Sequence, residues 1–216
     1  MDLPVTLPEK LYLLAYHPER ERLTATDRLD LVMRAAALAE LLRRGLIRED
    51  GQGPAAVDGG PAEGLDPLTA ALLEQIRQER RRSWQSWVGR NRGPTSRAAR
   101  VVRDGLAAAG RIRVEQRRAF GLFPYSRVTL PDSRLRKSLV ASVGSALKGP
   151  FSRVDPADAA LVALADAAQL GSALTWSRRR EFRARIGKLA PAAGPVPRAL
   201  RRAVNAGRAD GAAAGG

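Results

Sequence analysis

Apolar residues recur at helical spacing through most of the chain. Leu7, Leu11 and Leu14, with Pro8 in the first turn, predict a helix from Leu7 to Tyr16. His17-Pro18 ends it, because a residue before proline is pushed out of the helical region. Asp27 is the expected N-cap of the next helix, Arg28 to Arg44, and Gly45 its left-handed stop. Between Leu29 and Leu42 that helix carries only Asp30, Arg34 and Glu40 as charges. A helix apolar on nearly every face is a buried helix, so this one is expected to be the hub of the core.

Leu46-Ile47-Arg48 reads as a short strand, and 51–67, rich in glycine and proline, as a mobile loop. Helices are expected over Leu68–Arg82 and around Trp84 and Trp87, which lie three apart on one face. Gly93-Pro94 then breaks the chain. From Thr95 to Leu130 a helix with a basic stripe (Arg97, Arg100, Arg103) stops at Gly110 and gives way to a short strand, Ile112–Glu115. An apolar hairpin-like segment follows, Phe120-Gly121-Leu122-Phe123-Pro124. Ser133–Leu147 and Asp155–Leu174 read as amphipathic helices, and Ser177–Leu189 as a basic one. The pattern predicts a mainly α fold: a single helical domain over 1–197 around the buried helix, with short strands and a projecting β-hairpin. Beyond Arg198 the apolar periodicity fades, so 198–216 is expected to be a frayed tail. One weak echo links Leu42–Arg48 to Leu106–Arg113: helix end, glycine, strand.

Charge changes the picture more than composition does. The formal net charge is +15 and the pI about 11.4. Such a balance attracts polyanions, either nucleic acid or an anionic membrane face. Only Lys10, Lys137, Lys148 and Lys188 are lysines among the 37 basic residues, which with abundant alanine and glycine indicates a GC-rich, bacterial genome. Without cysteine there is no disulfide framework and no thiolate metal site. No apolar run has the length of a membrane span, and Met1-Asp2-Leu3-Pro4 does not open a signal peptide, so a cytoplasmic protein is expected.

Little here supports catalysis. The one histidine, His17, precedes a proline, no glycine-rich phosphate loop follows a strand, and no group has metal-ligand spacing. Asp155 and Asp158 read as helix-start carboxylates. The expectation is a non-enzyme without cofactor. The arginine stripe is either a solvated face or a set of guanidinium forks for a phosphate. Arg34 has Asp30 at i−4, so spacing allows an internal ion pair or a ligand-facing cation equally. Phe120, Leu122 and Phe123 form a core strand or, given Gly121 and Pro124, a projecting loop.

Leu7-Pro8-Glu9-Lys10-Leu11-Tyr12-Leu13-Leu14-Ala15 and Ala39-Glu40-Leu41-Leu42-Arg43-Arg44-Gly45-Leu46-Ile47 resemble the Golgi phosphoprotein 3 family. The similarity continues through Gly105–Ile112 and the aromatic hairpin to Ala160–Ala168, spanning about Leu7 to Leu189. The resemblance implies a mostly helical domain around a buried central helix, with a projecting hairpin used in oligomerisation. Eukaryotic members are peripheral membrane proteins that bind phosphatidylinositol 4-phosphate and recruit glycosyltransferases. Their lipid site uses a tryptophan, an arginine on the buried helix and two arginines three apart on a later helix. Anchored on Glu40 and Gly45, the first arginine falls on Arg34. The pair matches Arg97 and Arg100 in spacing but one residue out of register, and the tryptophan position falls near Ala25.

The reading of the whole sequence is a peripheral-membrane adaptor on the inner face of a membrane. Its partners would be an anionic phospholipid (phosphatidylinositol 4-phosphate or a bacterial substitute), a client membrane protein, and further copies of itself through the hairpin. Arg34, Arg97 and Arg100 would bind the headgroup phosphate, with Arg103 at the rim. Phe120, Leu122 and Phe123 would enter the membrane or a neighbouring copy. The alternative is a winged-helix nucleic-acid binder with Arg117, Arg118 and Arg127 as wing contacts.

Overall fold

The computed structural model describes residues 6–60, 63–119 and 123–213; side chains of 117–119, 123–125 and 210–213 lie outside that description. Helix α2 (Leu29–Arg43) is the hub. Val32, Met33, Ala35–Leu38 and Leu41 are fully buried, as its all-round apolar sequence requires. Around it pack α1 (Leu7–Ala15), α3 (Pro67–Gln78), α4 (Trp84–Val88), α5 (Ala98–Ala108), α7 (Pro156–Ala167) and α10 (Val196–Ala213). Helix α6 (Arg134–Lys148) lies against α7 and α1, and α9 (Arg183–Leu189) against α7. The fold is mainly α, with three antiparallel strand pairs at its margins: β1 (Tyr16–His17) with β2 (Arg22–Leu23), β3 (Ile47–Glu49) with β4 (Pro54–Ala56), and β5 (Arg113–Ala119) with β6 (Phe123–Thr129).

Helix starts follow local chemistry. Thr6 and Glu9 form a capping box at α1, Asp66 caps α3 by accepting from Leu68 and Thr69, and Asp155 caps α7. Asp27 does not cap α2; it pairs with Arg28, which occupies the cap position. Helix exits repeat one device. Gly45 (φ 70°) and Gly110 (φ 68°) both follow a helix in the left-handed region. The next amide then reaches back five residues, from Leu46 to the Leu41 carbonyl and from Arg111 to the Leu106 carbonyl, each at 2.9 Å. Gln169 (φ 54°) does the same after α7, with Leu170 bonding the Ala165 carbonyl at 3.0 Å. The faint echo in the sequence is therefore a shared exit motif, used a third time without glycine.

Four expectations differ from the structure. Residues 198–213, expected to fray, belong to α10, and Ala199, Leu200, Ala203 and Val204 are buried against the core. The expected 51–67 loop contains strand β4. Asp155–Leu174 is helical only to Ala167, and α7 is buried on nearly all faces rather than amphipathic. The basic helix Ser177–Leu189 is two, α8 (Trp176–Glu181) and α9, broken at Phe182. The hairpin strands are longer than expected. Their base is packed through Ile112, Val114 and Val128 and tied down by an Arg127–Glu21 ion pair. Beyond that base Glu115, Gln116 and Ser126 are exposed, so the ribbon leaves the body.

Glu40, on the hub, shows how a buried charge is held. Its carboxylate accepts from Arg43 at 2.8 Å and Arg44 at 2.7 Å, and Arg44 also donates to the carbonyls of Glu63 and Gly64. Burial alone would raise its pKa, but the hydrogen bonds from Arg44 and Arg43 outweigh that and hold it below the ordinary 4.5. A carboxylate with a lowered folded pKa stabilises the fold above its unfolded value and loses that contribution as pH falls through the folded one. Glu40→Gln is expected to cost about 1–3 kcal/mol at neutral pH. The gap from wild type should close in urea titrations taken down through that acid range; a pH-independent gap would disprove the linkage.

Candidate functional site

The entry of α5 is built by α2. Arg34 reaches across from the hub with its guanidinium buried at 2% exposure. Its Nε donates to the Val88 carbonyl at 2.7 Å, at the end of α4. Its Nη1 donates to the carbonyls of Thr95 and Ser96 at 3.1 and 3.2 Å, just before α5. Asp30, one turn earlier on the same face, accepts from the Ala99 amide at 2.8 Å, one of the α5 amides that the helix itself leaves unpaired. So Asp30 and Arg34 do face the same way, as i−4 spacing dictates, but each binds the backbone of the α5 entry. No carboxylate lies within ion-pair distance of Arg34 among the described residues. Asp30 acts on it only through space.

The segment under this entry is pinned as well. Thr95 is fully buried, and its Oγ1 donates to Gln75 Oε1 at 2.8 Å. Gly93 takes φ 75°, and a Cβ there would sit 2.5 Å from Gln75 Nε2. Only glycine allows the loop this close to α3.

Burial pushes the Arg34 guanidinium down to about 10, with Asp30 opposing the shift. It therefore stays cationic at neutral pH. A charge in a low-dielectric site, with its donors on carbonyls and no acid beside it, leaves a positive field at the α5 entry. Arg97 stands there as the N-cap residue, exposed and without an ion pair among the described residues. Arg100, 58% exposed, has only a 3.7 Å contact with Asp104. Such an exposed pair contributes little. Arg103 is drawn inward, pairing with Asp104 at 2.7 Å at 18% exposure. It lies near Tyr12, whose phenol is pushed well up by burial, Arg103 opposing and Asp104 reinforcing.

The structure thus brings Arg34, Arg97 and Arg100 to one place, Arg34 beneath and the other two at the surface, while Arg103 sits on the α1 side. Ala25, at the position of the family tryptophan, is part-buried at φ 56° against the core. Phe120 and Leu122 lie outside the described residues, as does the Phe123 side chain. Among the described residues there is no His, Asp or Glu group with metal-holding geometry, and no helix long and apolar enough to cross a membrane. What the sequence did not disclose is the set of carbonyl acceptors on Arg34. Nothing in residue spacing marks Val88, Thr95 and Ser96, because any backbone can accept.

The family model described as Golgi phosphoprotein 3 (GPP34) matches residues 7–206. The chain belongs to the Golgi phosphoprotein 3 family. No curated protein matches it. The matched span ends inside α10, so the helix where the sequence pattern fades is part of the family domain. The Glu40–Arg44–Gly45 segment that carries the resemblance has a structural task, since it closes the hub helix and ties it to residues 63 and 64.

Replacing Arg34 by leucine strands three carbonyls under cover and should cost about 2–5 kcal/mol. Lysine is expected to restore little, since one ammonium cannot fork between α4 and the Thr95 segment. Amide exchange should show the loss at Arg97–Val101 first. Equal protection there in wild type and Arg34→Leu would refute the bracing role.

Proposed function

We propose that this chain is a non-enzymatic peripheral-membrane adaptor that binds an anionic phospholipid headgroup at the α5 entry. The observation that carries the reading is the pair of exposed, loosely partnered guanidinium groups, Arg97 and Arg100, set over the buried cation of Arg34. Arg97 and Arg100 would fork onto the headgroup phosphate. Arg34 would hold the backbone that presents them and add its field, and Arg103 would border the site. Family membership supports a lipid-binding adaptor of this kind.

By family resemblance the headgroup is that of phosphatidylinositol 4-phosphate. Ala25 offers no aromatic ring to stack on a sugar, so recognition here rests on phosphate charge, and another anionic lipid can take its place. Attachment would be at the inner face of a membrane. The β5–β6 ribbon, with Phe120, Leu122 and Phe123 around its turn, would enter the lipid, or pack on a second copy to give an oligomer. A client membrane protein would be held through the same attachment.

Each basic group near an anionic leaflet contributes about 1 kcal/mol. Arg97→Gln/Arg100→Gln should therefore weaken co-sedimentation with phosphatidylcholine vesicles containing phosphatidylglycerol or phosphatidylinositol 4-phosphate by roughly thirtyfold. Undiminished sedimentation of the double variant would sink the assignment. So would tight, steeply salt-dependent binding to duplex DNA with no vesicle binding, the winged-helix outcome.

A further inference from the structure

A second cationic site lies on the other side of the hub. Helices α7, α8, α9 and α10 enclose an open cleft of about 630 Å³, within the size range of small-ligand sites. None of the groups proposed above at the α5 entry lines it.

Its charges are organised from below. Asp166, at the end of α7, is the one acid among the lining residues, and both its oxygens are taken. Oδ1 accepts from Arg179 Nε at 2.8 Å and Oδ2 from Arg201 Nη2 at 2.5 Å, and Arg179 also donates to the Asp166 carbonyl. Two guanidinium planes are therefore oriented before any ligand arrives. Arg180 and Arg183 are exposed on the same cleft and have no ion pair among the described residues. Four arginines against one carboxylate leave a local balance of +3.

The second observation is Trp176. At 70% exposure it is the most exposed large apolar side chain among the described residues, and it forms part of the cleft lining with the Arg180 guanidinium over its ring at 5.6 Å. The other two tryptophans are buried. An indole left in water beside unpaired guanidinium groups fits a ligand that joins an anion to an apolar or glyceryl portion. Ala163 and Gly187 line the same cleft with minimal side chains, leaving room for that portion.

We infer that this cleft binds a phosphate ester: Arg180 and Arg183 hold the phosphate, Arg179 and Arg201 complete the positive wall, and Trp176 covers the adjoining apolar part. A lipid headgroup and a soluble ester present the same group, and the experiment separates them. Because Trp176 alone among the tryptophans is exposed, acrylamide quenching of the full chain reports its cover. Titration with sn-glycerol 3-phosphate, and with phosphatidylcholine vesicles with and without phosphatidylglycerol, should protect Trp176 only where phosphate ester is accessible and anionic. Protection by the soluble ester identifies a free ligand; protection by the anionic vesicles alone identifies a headgroup.

Arg180→Gln/Arg183→Gln should shift either titration by about tenfold or more while melting like wild type, since neither side chain has a structural partner. Arg97→Gln/Arg100→Gln should leave the soluble titration unmoved, so failure at the α5 entry and failure here are read separately. Unchanged quenching with every probe, or equal protection in the Arg180/Arg183 variant, would overturn the site.

Discussion

The geometry of this protein turns on how one buried guanidinium is satisfied. Arg34 leaves the hub helix with no carboxylate to meet it, and its donors go to three main-chain carbonyls on two separate segments. A guanidinium can do this because its donors fan out in a plane, whereas a point-like ammonium cannot. The result joins the end of α4 to the start of α5, and Asp30 completes the joint from the same helix face. Everything at the α5 entry, including the exposure of Arg97, follows from where that joint puts the backbone. A structural role and an electrostatic one are therefore the same fact: satisfying Arg34 with carbonyls positions the loop and leaves the positive charge uncancelled.

Much of the fold was legible in the sequence because the hub is apolar on every face and its neighbours carry capping residues or glycine stops. Asp66, Asp155, Gly45 and Gly110 announced helix ends correctly, since their effects are local. The failures share a cause. In α10 the buried stripe is Ala199, Leu200, Ala203 and Val204, set among arginines and glycines, and alanine gives a weak periodic signal although it packs closely. Helix α7 looked amphipathic because its alanines were read as neutral, yet it is enclosed on nearly all sides. Strand β4 begins with proline and contains two alanines, and its pairing with β3 is visible only once the hairpin is closed.

The candidate site was legible in part for a related reason. Spacing placed Arg34 and Asp30 on one helix face and Arg97 and Arg100 on one helix, and each placement holds. Spacing could not say that the Asp30–Arg34 pair would be traded for backbone partners, nor that Arg103 would turn toward Tyr12 and Asp104. Side-chain patterns report faces. They do not report which carbonyls a fold brings beneath them.

The packing of α10 on α2 and α4 has a consequence for how the protein is made. The hub is synthesised early, but the helix that covers its last flank, and backs the α4 segment Arg34 braces, is the last one made. Until it leaves the ribosome, the nascent chain carries an uncovered apolar stripe along its centre and a loosely seated α4. Such intermediates are aggregation-prone. Native closure is accordingly a late, post-translational step, in which an alanine-rich helix shuts the core from the carboxyl end.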